Sequence, residues 1–315
     1  MRTPVKILLG CLAAPFVLVA LLGILALIFR AAGSPGHKVE MANLEQPLPT
    51  VTPEQLAAEG LTQSTGVPAG SPVSVTLRLE EGNFTVKAGP VGSGVKVEGN
   101  YDTGAYELKQ EFKQDESGAP AYYLSFRPRY SLLRRVLTEG GVQFDDDDNK
   151  ITVWLPRGVP ISLDLQSSKG HSSVELGGLA LTRAVLNVRM GEHHVSVGEV
   201  NPIEMTSLDI NAGMGEVEFL DLGNLRAESI SIFTKMGESE VDLGETILRD
   251  TKMYVLHKMG ELTIGLPRDA RIRARSSVFL GDGAENPSTP EGEKAGPVLD
   301  LTTSMTMGEL SFRKR

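Results

Sequence analysis

The sequence predicts an all-β fold: a β-solenoid-like stack of strand–corner–strand repeats of about 22 residues, preceded by one N-terminal transmembrane helix. Three observations carry that reading. Met-Gly-Glu occurs five times, ending at Glu192, Glu216, Glu238, Glu261 and Glu309, although the 315 residues hold only 10 Met and 34 Gly. Apolar residues alternate with period two on both sides of these motifs and change phase at the glycine. A charge-free apolar run extends from Ile7 to Phe29.

That run, within an anchor spanning residues 1–30, would measure about 34 Å as a helix, enough to cross a hydrocarbon layer of about 30 Å. It is longer than the apolar core of a secretory signal, although Ala31-Ala32-Gly33 would suit cleavage. Arg2 and Lys6 flank one end, Arg30 and Lys38 the other, so charge orients the span only weakly. A short tail ahead of one long domain is expected to stay inside. The chain is therefore read as a single-pass membrane protein, in the bilayer through residues 7–29, with its domain outside the cytoplasm. The one cysteine, Cys11, falls within the span, so the outer domain uses no disulfide. The net charge is −9, and residues 1–30 contribute only Arg2, Lys6 and Arg30, so the remainder is more acidic still. Such a domain repels nucleic acid and anionic head groups, which excludes both as partners.

Residues 31–71 are rich in Pro, Gly, Ser and Thr and read as a disordered tether, with a short helix near 53–59. Residues 72–160 read as an N-terminal β region capping the stack. It has strands near Val95–Glu98, Tyr106–Phe112, Tyr122–Phe126 and Ile151–Leu155, and a short helix at Ser131–Leu137. Residues 161–315 form the repeat stack, interrupted by a polar insert at 281–297.

Within the stack the corners fall at Gly170, Gly191, Gly215, Gly237, Gly260 and Gly308, the first five separated by 21, 24, 22 and 23 residues. The final gap of 48 hides a degenerate copy in which Ser276-Ser277 replace Met-Gly. Leu186 and Val188 precede Gly191, whereas Val195 and Val197 follow it in the opposite phase. A straight strand would turn one of these sets outward, so a bulge or corner must absorb the extra residue. Glycine suits either because it adopts positive φ without a Cβ clash. Met is read as the last inward residue, Gly as the bend and Glu as the first outward residue. The same shift at Gly82 extends the device upstream. One unit cannot bury its apolar face alone, so neighbours must stack. The open ends need protection; residues 73–160 would cover one, the insert and the terminal Phe312-Arg-Lys-Arg the other.

At this point the residues resemble a known group. "RLEEGNFTVKAG", the stretch from "VWLPRGVPISLDL" to "VRMGEHHVSV" and the later Gly-Glu rungs are similar to the toast-rack domains of bacterial β-strand-repeat proteins. These include adhesin-like and LiaF-like cell-envelope stress proteins. The resemblance covers residues 72–315 and implies a membrane-proximal β stack without enzymatic activity. It implies a role in adhesion or envelope-stress sensing, though the single span departs from the LiaF-like pattern.

The Glu following each corner should stack along one face, joined by Glu218, Glu240 and Asp242. Adjacent carboxylates about 4.8 Å apart repel. Calcium on Glu192, Glu216, Glu238 and Glu261 would relieve this, as would the bases just before several corner glycines, Lys169, Arg189, Lys235 and Lys258; the bases are the simpler reading. His171, His193 and His194 read as solvated, His257 lies across its corner, and the four do not converge as zinc requires. The "DDDDN" at 145–149 reads as a turn without calcium-loop spacing. Trp154 is expected to pack into the first rung. No nucleophile elbow, P-loop, zincin or dinucleotide motif occurs, so no catalytic residue or cofactor is assigned.

The function expected is a non-enzymatic, membrane-tethered surface for an envelope polysaccharide or protein partner. The alternatives are an envelope-stress regulator and a polysaccharide-active or polysaccharide-binding β-helix protein.

Overall fold

The computed structural model describes the backbone of residues 39–46, together with residues 72–114, 119–129, 149–287 and 296–314. The expected membrane span, the helices near 53–59 and 131–137 and the acidic run 145–148 lie outside these residues. The strands are β1 (Val39–Gln46), β2 (Val73–Glu81), β3 (Asn83–Val91), β4 (Val95–Asp102), β5 (Tyr106–Gln114), β6 (Pro120–Pro128) and β7 (Lys150–Arg157). The long strands follow: β8 (Pro160–Glu175), β9 (Ala180–Ser196), β10 (Met205–Leu220), β11 (Ala227–Asp242), β12 (Thr251–Leu266), β13 (Arg271–Gly283) and β14 (Val298–Lys314). All belong to one 14-stranded sheet.

Each long strand is bent into two arms. In β10 the buried residues run Leu208, Ile210, Ala212, then Val217 and Phe219. Ala212 and Val217 are five positions apart, an odd step that reverses the side-chain phase so that both arms face one core. The corner is therefore four residues wide. The methionines lie on its outside, contrary to the inward position expected of them: Met190, Met214, Met236, Met259 and Met307 are 42–51% exposed. The inward corner position lies two residues earlier, at Ser167, Val188, Ala212, Thr234, His257 and Met305.

The glycine of each corner is dictated twice over. Its φ lies between +112° and +136° from Gly170 to Gly308, a region that side chains with a Cβ rarely adopt. The rungs also meet there. A Cβ on Gly191, Gly215, Gly237 or Gly260 would stand 1.9 Å from the carbonyl oxygen of the preceding corner glycine. The column starts at Gly82, whose carbonyl would meet a Cβ on Gly170 at 2.1 Å.

At β8 the two arms part company: its first arm pairs with β2 and its second with β3. From there β2–β6–β5 continue the first arm and β3–β7–β4–β1 the second. The consecutive strands β2–β3 are thus one bent rung, and β6 and β7 extend its first and second arm in turn. β4–β5 is a second, running antiparallel and turning at Asp102–Ala105. Phe126 fills the fold of these rungs, with ring centroids 5.9 Å from Phe84 and 5.2 Å from both Tyr101 and Tyr106. β1, paired antiparallel with β4, falls inside the stretch 31–71 read as tether. A bent-rung stack leaves β4 an open edge, and the alternation Val39-x-Met41 supplies a strand for it.

Connections between rungs close the third side of the core. Leu176, Leu179, Leu222, Leu225, Leu243, Ile247 and Ala270 are all buried there. Buried Asn201 serves as a staple: its Nδ2 donates to the carbonyls of Leu181 (2.8 Å) and Leu225 (3.1 Å), and its Oδ1 accepts from Leu181 N–H (3.1 Å).

The far end departs from the expected order. β14 inserts between β12 and β13, leaving β13 at the edge. The degenerate corner is Leu280-Gly281-Asp282, in register with Met307-Gly308-Glu309, and Ser276-Ser277 lie within the first arm. After β13 residues 284–287 turn back along that edge strand, where Ser276 Oγ donates to Asn286 Oδ1 (2.7 Å) and Pro287 is buried.

Candidate functional site

The second arm presents an acidic outer face. Register places His171, Glu192, Glu216, Glu238, Glu261, Glu309 and Asp282 side by side, as expected for the residues that follow the corners. His171 Nδ1 lies 3.1 Å from Glu192, and His194 Nδ1 lies 2.7 Å from Glu218. Among the described residues no ion pair reaches Glu216, Glu238, Glu261 or Glu309. The upstream bases turn elsewhere: Lys169 to Glu81 (3.5 Å) and Lys258 over the Phe233 ring (5.3 Å). Nor do the described residues gather three His, Cys, Asp or Glu in a metal-holding arrangement.

The first arm presents a different outer face. Between β9 and β14 runs a groove of about 640 Å³, lined by Val185, Phe233, Tyr254 and Leu256 beside Asn211, Ser231, Thr302 and Ser304. Tyr254 is 52% exposed and Leu256 40%. The depression arises because small side chains at Ser231, Thr302 and Ser304 neighbour the large ones. Its charges are neutralised: Arg183 Nη2 donates to Asp209 (3.0 Å). Asn211 Nδ2 donates to Asn187 Oδ1 (3.0 Å), which starts an amide row across two rungs.

A family profile described as "N-terminal domain of toast_rack, DUF2154" matches residues 70–219. That stretch is a toast-rack domain. It runs from β2 through β10, and β11 to β14 continue its glycine column. No curated protein matches the chain. Among solved structures it is similar to a putative cell adhesion protein from Clostridium sporogenes ATCC 15579. Identity there is 11% and the TM-score 0.41, covering 88% of this chain and 100% of the other. It is also similar to a putative adhesin from Bacteroides fragilis NCTC 9343, at 9% identity and TM-score 0.40, covering 89% and 99%.

Several side chains of the stack lie elsewhere than expected. His193 and His257 are buried, at 3% and 0% exposure, rather than solvated. His193 Nδ1 meets Ser172 Oγ at 2.7 Å and His257 Nδ1 meets Thr234 Oγ1 at 2.5 Å, while both Nε2 atoms are buried without a partner among the described residues. Burial, seconded by the charge of His171, pushes His193 down to about 4. Burial also lowers His257, against a backbone hydrogen bond at Met259. Both rings are core groups, neutral at pH 7. Asp242 is fully buried instead of joining the outer acids; its Oδ1 accepts from Gly244 N–H (2.7 Å) and its Oδ2 from Arg313 (3.3 Å). Trp154 stands on the outer side of β7, with Lys96 Nζ 5.2 Å and Lys87 Nζ 5.7 Å from its ring. It does not pack into the core because it alternates with the buried Val153 and Leu155. The groove on the first arm was not anticipated, although Phe233, Tyr254 and Leu256 all have outward parity.

Proposed function

We propose that the chain is a non-enzymatic, adhesin-like toast-rack protein of the cell envelope. Residues 7–29 hold it in the membrane, with the stack outside the cytoplasm. The observation that supports binding is the glycine column. By holding every rung in register, it turns single outward side chains into continuous rows, and so builds long outer faces suited to an extended partner. Exposed rows on a rigid scaffold suit recognition of a polymer or a second surface better than turnover of a small substrate.

The test compares cells carrying the full-length protein with cells lacking it. Carrier cells should attach to surfaces coated with envelope material, and proteinase added to intact cells should remove the stack. Equal attachment by both strains would refute the binding role. Full protection from proteinase until lysis would refute the outside placement.

A further inference from the structure

The acidic second-arm face and the groove of the first arm differ in chemistry. We infer that the groove binds a neutral polysaccharide laid across the rungs, a deepening that rests on the adhesin-like reading above. The exposed ring of Tyr254 and the exposed side chain of Leu256 offer apolar surface on β12, beside Phe233 on β11, whose ring the Lys258 ammonium caps. Around them stand uncharged hydrogen-bonding groups: the Asn187–Asn211 amide pair, Ser231, Thr302 and Ser304. A pyranose ring has the matching character, an apolar C–H face bounded by hydroxyls. Aromatic rings carry the contact area, while a few polar groups set orientation.

Charge argues for a neutral polymer. The charged side chains lining the groove, Arg183 and Asp209, are committed to each other (3.0 Å), and Arg183 Nε also donates to Ser207 Oγ (3.3 Å). A polyanion would also meet a chain of net charge −9. Geometry argues for a polymer and against an added peptide strand. The groove crosses from β9 to β14, four inter-strand steps or about 19 Å. Extended peptides dock by adding to a free sheet edge. Here β10, β11 and β12 are each paired on both sides, so their backbone groups are already engaged.

Full-length protein in nanodiscs would be titrated with soluble neutral polymers (dextran, a β-1,3-glucan, a mannan, a galactan), with alginate and with a casein peptide. At least one neutral polymer should bind, with affinity nearly unchanged between low and high salt. Tyr254→Ala should weaken it about tenfold or more, Tyr254→Phe should preserve it, and Glu238→Gln on the other arm should leave it unchanged. Tyr254 is half exposed, so its replacement leaves the fold intact, which circular dichroism would verify. The inference falls if no neutral polymer binds, if Tyr254→Ala binds equally, or if alginate or the peptide is the Tyr254-dependent ligand. Cell attachment separates this from the broader reading. Attachment abolished by deletion but untouched by Tyr254→Ala removes the groove alone; attachment untouched by deletion removes both.

Discussion

A β-carbon on Gly237 would stand 1.9 Å from the carbonyl oxygen of Gly215, one rung away. That overlap is with backbone, which the neighbouring rungs hold in place, so no side-chain rotation relieves it. The positive φ of 124° at Gly237 adds its own strain.

Gly237→Ala should therefore destabilise the protein by about 3 kcal/mol or more, combining backbone strain with overpacking. Gly198→Ala, with nothing within 4 Å of its Cβ, should change stability by less than about 0.5 kcal/mol. Urea unfolding midpoints of the two variants would check the difference; equal midpoints would mean the glycine column is not what forces the corner.

The buried histidines set a pH dependence. His193 has a folded-state pKa of about 4, below its ordinary value of 6.5. The unfolded chain thus binds protons more readily between those values. The stability from keeping the ring neutral is complete above about pH 6.5 and is lost as pH falls towards 4, a change of order 3 kcal/mol. The lowered His257 acts in the same direction. His193→Val, which installs the residue found at the equivalent Val217, should flatten the decline of the urea midpoint between pH 6.5 and 4. A variant with the wild-type slope would assign the acid sensitivity to other groups.

Arg313 reaches past β12 to Glu240 and to the fully buried Asp242 on β11. The path is open because the intervening residue is Gly265, where a Cβ would stand 2.8 Å from the Asp242 carboxylate. Arg313→Met should cost about 1–3 kcal/mol at pH 7 by leaving that carboxylate less compensated. Urea melts at pH 7 would show it, and an unchanged midpoint would mean that Arg313 contributes nothing to holding the buried Asp242 carboxylate.

Removing residues 308–315 should unfold the far rungs rather than merely expose an edge. β14 is the penultimate strand, and the corner of β13 rests on it at Gly281 and Gly308. Circular dichroism and amide exchange should then show lost structure in β12 and β13; a fully protected β12 would contradict it.

The bent rung was legible because the phase reversal is written in residues such as Val188 and Val195, whose parity disagrees across a glycine. The width of the corner was not. Met305 and Met307 share a parity, so alternation alone cannot say which is the last to face inward. The swapped order of β13 and β14 was also hidden, because parallel rungs with the same alternation around a corner glycine pair interchangeably in sequence terms. The reading of Ser276-Ser277 as the degenerate corner also ignored the period: Gly281 lies 21 residues after Gly260, and Leu280-Gly281-Asp282 keeps the large–glycine–acid chemistry. The burial of His193 was available from its position, two residues after Gly191, where Val217 stands in the next rung. The groove needed the structure, since Phe233 and Tyr254 are aromatics far apart in sequence until register sets them beside Ser231 and Ser304.

Methionine oxidation tests the bent rung most directly. Met305 and Met307 lie two residues apart and would share one face of a straight strand, yet they are 1% and 42% exposed. Brief peroxide treatment of the native protein, read by mass spectrometry, should oxidise Met190, Met214, Met236, Met259 and Met307 while sparing Met205, Met253 and Met305. Equal oxidation of Met305 and Met307 would contradict the corner.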